Sequence, residues 1–167
     1  MKTGKKELTV SVMVEIPKGS RNKYEYDHKK GVIRFDRMLY SAVHYPSDYG
    51  FIMETLAMDG DALDALVLIG EPTFPGCVIE VRPIGIFNMS DEKGLDEKIL
   101  CTPVHDPLWN HVRRLADVPP HLLKEIEHFF SIYKDLEMKK TVVEGWEDRS
   151  VAIRTIEKAQ ERYNDSL

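Results

Sequence analysis

A basic excess is what this chain of 167 residues lacks: 28 acidic side chains outnumber 23 basic ones, giving a formal charge of −5. That balance provides no broad cationic footprint and disfavours nucleic acid as a partner. Cysteine is scarce, with Cys77 and Cys101 far apart and outside any C-x-x-C pattern. A zinc site or disulfide framework is thereby disfavoured, and both thiols read as packing residues of a chain in a reducing compartment, the cytoplasm. No stretch approaches the roughly 20 apolar residues a helix needs to cross a bilayer, so no membrane span is expected. The opening "MKTGKKELTVSVMVEIP" puts lysines ahead of apolar residues, as a signal peptide does, but the apolar run is short and alternating and reads as a strand. Internal repeats, low-complexity tracts and breaks in composition are also missing. At 43% hydrophobic content the expectation is one domain over residues 1–167, large enough for a core of its own.

Over residues 9–16, Val10, Val12, Val14 and Ile16 alternate with Ser11, Met13 and Glu15, as in a strand with one buried face, and Pro17 ends the pairing. "KYEYD" alternates again, with Lys23, Glu25 and Asp27 on one face and Tyr24 and Tyr26 on the other, and "HKKG" turns it into "VIRFD" as a hairpin. Further strands are predicted at "DALVLI", "CVIEVRPIGIF", "EKILCTPV" and "TVVEGW", separated by turns such as "EPTFPG". Helical spacing comes late. After Pro119 and Pro120, the residues Leu122, Leu123, Ile126, Phe129, Phe130, Tyr133 and Leu136 recur at intervals suited to one buried face. A last helix starts at Asp148 as N-cap and carries Ala152, Ile156, Ala159 and Tyr163 along one side. Strands first and helices second predict an α+β domain with a mainly β, mainly antiparallel core, arranged as a barrel or sandwich.

"DGDALDAL" crowds Asp59, Asp61 and Asp64 into six positions, and "DEKGLDEK" adds Asp91 and Asp96 in a second loop. Each group read alone is an ordinary acidic turn. Brought to one rim, they would repel unless divalent cations neutralised them, and all-oxygen donors favour magnesium, manganese or calcium over zinc. An EF-hand fails at its sixth position, Asp64 instead of Gly, and at its twelfth, Gly70 instead of Glu. The D-x-D phosphatase pattern fails at Leu63 and requires alternating strands and helices that are not seen. Lys23, Arg37, Lys98 and Lys134 could bind phosphate oxygens, and Tyr45, Tyr49 and Tyr133 could donate to them. Singly, each reads as a solvated cation or a tyrosine packed on a turn. The six histidines lack metal spacing, and His105, His111, His121 and His128 read as surface or capping groups.

Six stretches in one order, "VEIPKGSRNKYEYD", "FDRM", "HYPSDYGF", "DGDALDAL", "SDEKGLDEK" and "FFSIYKDLE", together resemble the soluble family I inorganic pyrophosphatases over roughly residues 9–147, and "VEGW" extends the likeness. The resemblance implies a five-stranded OB-like antiparallel barrel with flanking helices. It implies Asp59, Asp64 and Asp96 as ligands of the tightest magnesium, Asp91 with Asp96 for a metal entering with substrate, and Glu15 for a further metal through water. Several magnesium ions per site are implied, with manganese or another divalent ion able to substitute. Lys23, Arg37, Tyr49, Lys98, Tyr133 and Lys134 match groups that hold the phosphoryl ends, while Glu25 and Tyr45 match supporting residues. Asp61 matches the general base for direct attack of a metal-activated water on pyrophosphate, with no covalent phosphoenzyme. Ala62 departs from the pattern, which usually has proline there; alanine can adopt the same φ, so metal affinity rather than chemistry is what the change affects. Compact relatives assemble as hexamers, and a homohexamer is expected here. The reading from another class is a cation-binding module without turnover, which would have no use for Lys23, Arg37 and Lys134; a broader phosphatase is the competing enzyme.

Overall fold

A computed structural model describes residues 7–167, so Lys2, Lys5 and Lys6 of the opening segment lie outside the described residues. The chain runs β1 (Val10–Ile16), β2 (Asn22–Asp27), β3 (Val32–Met38), β4 (Asp48–Ile52), β5 (Asp64–Val67), β6 (Val78–Asp91), β7 (Gly94–Pro103), α1 (Pro120–Ile132), β8 (Val142–Asp148) and α2 (Arg149–Asp165). Each strand expected from the sequence is present. β4 is an addition, because all five residues of "DYGFI" are buried and no alternation of polar with apolar residues announces it.

Hydrogen bonding joins β1, β4, β5, β7 and β6 in that order, and β6 pairs back to β1, closing the five-stranded OB-like ring. β8 joins β6 beyond the ring, and β2 with β3 forms a separate hairpin. The ring pairings are antiparallel except that of β5 with β7. β6 returns the chain between those two strands, so they point the same way.

Apolar clusters pack on both faces of the ring. On β5, Leu66 belongs with Phe87, Leu100, Ile126, Phe129 and Phe130 in the cluster under α1. Its neighbours Ala65 and Val67 join Val12, Ile52, Ile99 and Cys101 in the cluster that meets Ala152, Ile156 and Ala159 of α2. Period-two alternation on the strand thus meets period-3.6 stripes on both helices. Pro120 at the first turn of α1 loses no hydrogen bond there, and Asp148 caps α2 by accepting from the Arg149 N–H (2.9 Å). Leu136, expected on the buried face of α1, lies beyond the helix end in a 3-10 turn and is 65% exposed, since the helical period stops at Ile132. Cys101 is buried and Cys77 half-buried, and both are free thiols.

Two details of the β1–β4 pairing bear on the site. Gly50 faces Val14 so closely that a Cβ would run into the Met13 carbonyl. The register then shifts between Val14 and Ile16, leaving Glu15 as the extra residue of a bulge, a device that re-aims a side chain.

Candidate active site

The register of the parallel pair places Asp64 of β5 opposite Lys98 of β7, and Asp96 lies two residues back on the same face as Lys98. Lys98 is buried, at 1% exposure. A buried ammonium is tolerated only when its three N–H groups are satisfied. They are: Lys98 Nζ donates to Tyr49 Oη (2.7 Å), Asp96 Oδ2 (3.0 Å) and Asp64 Oδ2 (3.2 Å). The same nitrogen stands 4.9 Å from the Tyr49 ring centre and 5.0 Å from that of Phe130. Burial alone would lower the Lys98 pKa, but Asp64 and Asp96 outweigh it and hold the pKa above the ordinary lysine value. Burial lifts Asp64 to about 6, with Lys98 opposing and the Asp96 carboxylate adding to the rise.

Glu15, turned by its bulge, accepts the Tyr26 N–H at Oε2 (2.8 Å), which ties β1 to the hairpin. Burial pushes its pKa to about 7; the Tyr26 N–H opposes the shift and the Asp64 charge adds to it. Two carboxyls on ring strands that flank β4, Glu15 on β1 and Asp64 on β5, therefore sit in one field.

Cations form a second group. On the hairpin, Lys23 pairs with Arg37 across the strands, an unfavourable juxtaposition unless an anion lies between them. Asp36 Oδ2 fills that place, accepting from Lys23 Nζ (3.0 Å) and Arg37 Nη1 (2.7 Å). Glu137 holds the other side of Arg37 (Nε to Oε1, 2.7 Å) and so links the hairpin to the turn after α1. Lys134, directly after α1, donates to Asp91 Oδ2 (3.1 Å) and Glu92 Oε1 (3.4 Å). Despite burial, the Lys93 N–H and Lys134 hold Asp91 below the usual carboxylate range. Tyr133 bridges the groups: burial raises its phenol, Lys98 and Lys134 oppose, and Asp96 and Asp91 add. Tyr45 is buried and packs on Tyr49 and Phe129, at 5.5 and 4.8 Å between ring centres.

The structure thus brings Glu15, Tyr45, Tyr49, Asp64, Asp91, Asp96, Lys98, Tyr133 and Lys134 into one neighbourhood, with Lys23 and Arg37 joined to it through Glu15 and Glu137. Asp59 lines one cavity of about 210 Å³ together with Asp64 and Asp96. Asp61 is exposed on the same loop; its N–H donates to Asp59 Oδ1 (3.0 Å), and its carboxylate has no polar contact among the described residues. Glu25 departs from the expected cleft network: it binds Lys23 (2.7 Å), but its side chain is 61% exposed, because the hairpin edge on which it stands is open to solvent. Asp36, Glu92 and Glu137 escaped the sequence reading although they stand in "FDRM", "SDEKGLDEK" and "FFSIYKDLE"; Asp36 is announced by its neighbour Arg37, whereas Glu92 and Glu137 meet cations 42 and 100 positions away and carry no local signal.

The donor set fits a hard divalent cation. Asp59, Asp64 and Asp96 offer oxygen only, line one cavity, and include an acid whose ionisation burial opposes. Among the described residues no three acids already converge at ligating distance, since Lys98 spans Asp64 and Asp96 while Lys134 takes Asp91.

Residues 12–164 match the family model described as inorganic pyrophosphatase. An inorganic pyrophosphatase of Methanosarcina mazei is 60% identical over 154 residues, spanning 92% of this chain and 91% of that one. One from Streptomyces coelicolor is 53% identical over 95% of this chain and 98% of its own. The crystal structure of inorganic pyrophosphatase from Thermus thermophilus superposes with a TM-score of 0.92 at 45% identity, covering 98% of this chain and 97% of that one.

Proposed function

Because the chain belongs to the inorganic pyrophosphatase family, which makes it an inorganic diphosphatase, we propose that it hydrolyses pyrophosphate to two orthophosphates by direct attack of water, with Asp61 as the general base and magnesium as the metal. The observation that carries the reading is the alternation of acids and cations around buried Lys98: oxygen donors for metals and N–H donors for phosphoryl oxygens stand side by side. A cation-binding module without turnover has no use for the second set.

Asp59, Asp64, Asp91 and Asp96 would hold the metals, with Glu15 reaching a further one through water. A bound divalent cation supplies neutralisation of substrate charge and lowers the pKa of the attacking water. Lys23, Arg37, Lys98 and Lys134, with Tyr49 and Tyr133, orient the phosphoryl groups and stabilise the departing phosphate. Asp61, whose carboxylate has no polar contact among the described residues, accepts the proton of the attacking water there. No Ser, Cys or His stands in this constellation, so the transfer goes to water without a phosphoenzyme.

The cytoplasm, a single domain and a homohexamer belong to the same proposal. Among the described residues no helix is long and apolar enough to cross a membrane. Val32, Phe35 and Met38 of β3, with Tyr40 just beyond it, are exposed large apolar side chains, which supports association. The test is phosphate release from pyrophosphate with magnesium, repeated after chelation. Release that stops on chelation is expected, and phosphate monoesters cleaved at comparable rates would make the chain a broader phosphatase.

A further inference from the structure

The loop from residue 56 to residue 63 carries Asp59 and Asp61, yet its internal bonds only close it on itself. Ala57 N donates to Asp61 O (2.7 Å), Gly60 N to Ala57 O (3.1 Å) and Asp61 N to Asp59 Oδ1 (3.0 Å). At its far end, Leu63 is held within the barrel, its N–H donating to Thr55 Oγ1 (3.1 Å) and its carbonyl accepting from Ile52 N (2.8 Å). At its near end the attachment is to α2. Leu56 N donates to Ala159 O (3.0 Å), and Leu56 O accepts from Arg162 Nη1 (3.0 Å). Both polar groups of one residue are thus gripped by helix positions three apart, which lie on one face.

The cavity of about 210 Å³ shows what this grip controls. Asp59, Asp64 and Asp96 line it together with Thr155, Lys158 and Arg162 of α2. Asp64 and Asp96 belong to strands β5 and β7 and are fixed by the ring. Asp59 has no such ladder; its loop is anchored at Leu63 to the barrel and at Leu56 to α2.

We propose that Arg162 is a positioning residue for the metal-binding loop, holding the Leu56 carbonyl so that Asp59 meets Asp64 and Asp96, and thereby setting divalent-cation affinity. The proposal rests on the metal-ligand reading given above. Electrostatics alone gives the opposite sign: a guanidinium beside a cation site repels the cation, so removing its charge should tighten binding. Weaker binding after loss of that charge is therefore a signature of positioning.

The experiment is calorimetric titration of magnesium into metal-stripped protein without substrate, at a pH of about 8, for wild type, Arg162→Met and Lys158→Met. Methionine keeps most of the aliphatic stem and removes the donor. Arg162→Met is expected to weaken magnesium about tenfold, the scale of a lost charge-assisted hydrogen bond. Lys158→Met, which removes a cation from the lining of the same cavity, is expected to leave binding unchanged or tighter. Hydrogen exchange at the Leu56 and Ala57 amides should quicken in metal-free Arg162→Met, and turnover at saturating magnesium should stay within about twofold of wild type. Arg162→Lys, which keeps a donor and the charge, covers the case of a methionine variant that does not fold and should fall between the two. Equal or tighter magnesium binding in folded Arg162→Met or Arg162→Lys would overturn the proposal. Wild type that binds no magnesium would instead remove the metal-ligand reading itself.

Discussion

At the residue scale, the three aspartates of "DGDALDAL" occupy three different environments. Asp64 is held by Lys98, Asp59 accepts a backbone N–H, and the Asp61 carboxylate is exposed without a polar partner among the described residues. Asp61→Asn should therefore lower turnover by about 10²-fold or more, as loss of a general base does. Urea denaturation should show its stability within about 0.5 kcal/mol of wild type. Near-normal turnover would take the role from Asp61. Lys98 is the opposite case. Lys98→Ala leaves Asp64 and Asp96 facing each other without their shared cation, and should cost the metal-free fold roughly 3–5 kcal/mol by the same denaturation, with magnesium restoring part of the loss. Glu15 gives a pH signature. Its carboxyl, at 4.5 in ordinary surroundings and about 7 here, keeps a proton in the folded state that the unfolded chain has released. Stability of the metal-free protein should therefore fall as pH rises through that window, and Glu15→Gln should flatten the slope in thermal melts. Magnesium affinity should move the other way, weakening as pH falls below about 7, because Glu15 and Asp64 must ionise to accept metal.

Elements decide how much of this could be read in advance. Strand alternation located Glu15 on the polar face of β1, but only the bulge explains how it faces Asp64, and a one-residue register shift has no mark in the sequence. The acids and lysines were visible as charged positions in matching stretches, whereas their pairing depends on the parallel β5–β7 ladder, a long-range fact. β4 was invisible because burial on both faces erases alternation, and Arg162 because a helix residue that bonds a distant carbonyl looks like any solvated arginine. Gly50 belongs with these. Its role is to let β4 lie against the Met13 carbonyl, so Gly50→Ala should cost about 3 kcal/mol, the upper range for overpacking a rigid site, as a lowered urea midpoint. An unchanged midpoint would mean that β1 can yield there.

On the scale of the whole molecule, the exposed apolar side chains of β3 stand on a hairpin outside the barrel. Sedimentation should give the mass of six 19.3 kDa chains, and a monomeric mass at working concentration would reject the hexamer. The order in which the ring is built has a consequence for synthesis. β7 is the last ring strand to leave the ribosome, and it must slot between β5 and β6, which were made before it. It also carries Asp96 and Lys98, so sealing the wall and delivering the counter-charge of Asp64, 34 positions earlier, are a single event. Nascent chains halted before β7 should consequently be inert and unable to shut the barrel, and chains halted between β7 and α1 should shut it yet stay inert for want of Tyr133 and Lys134.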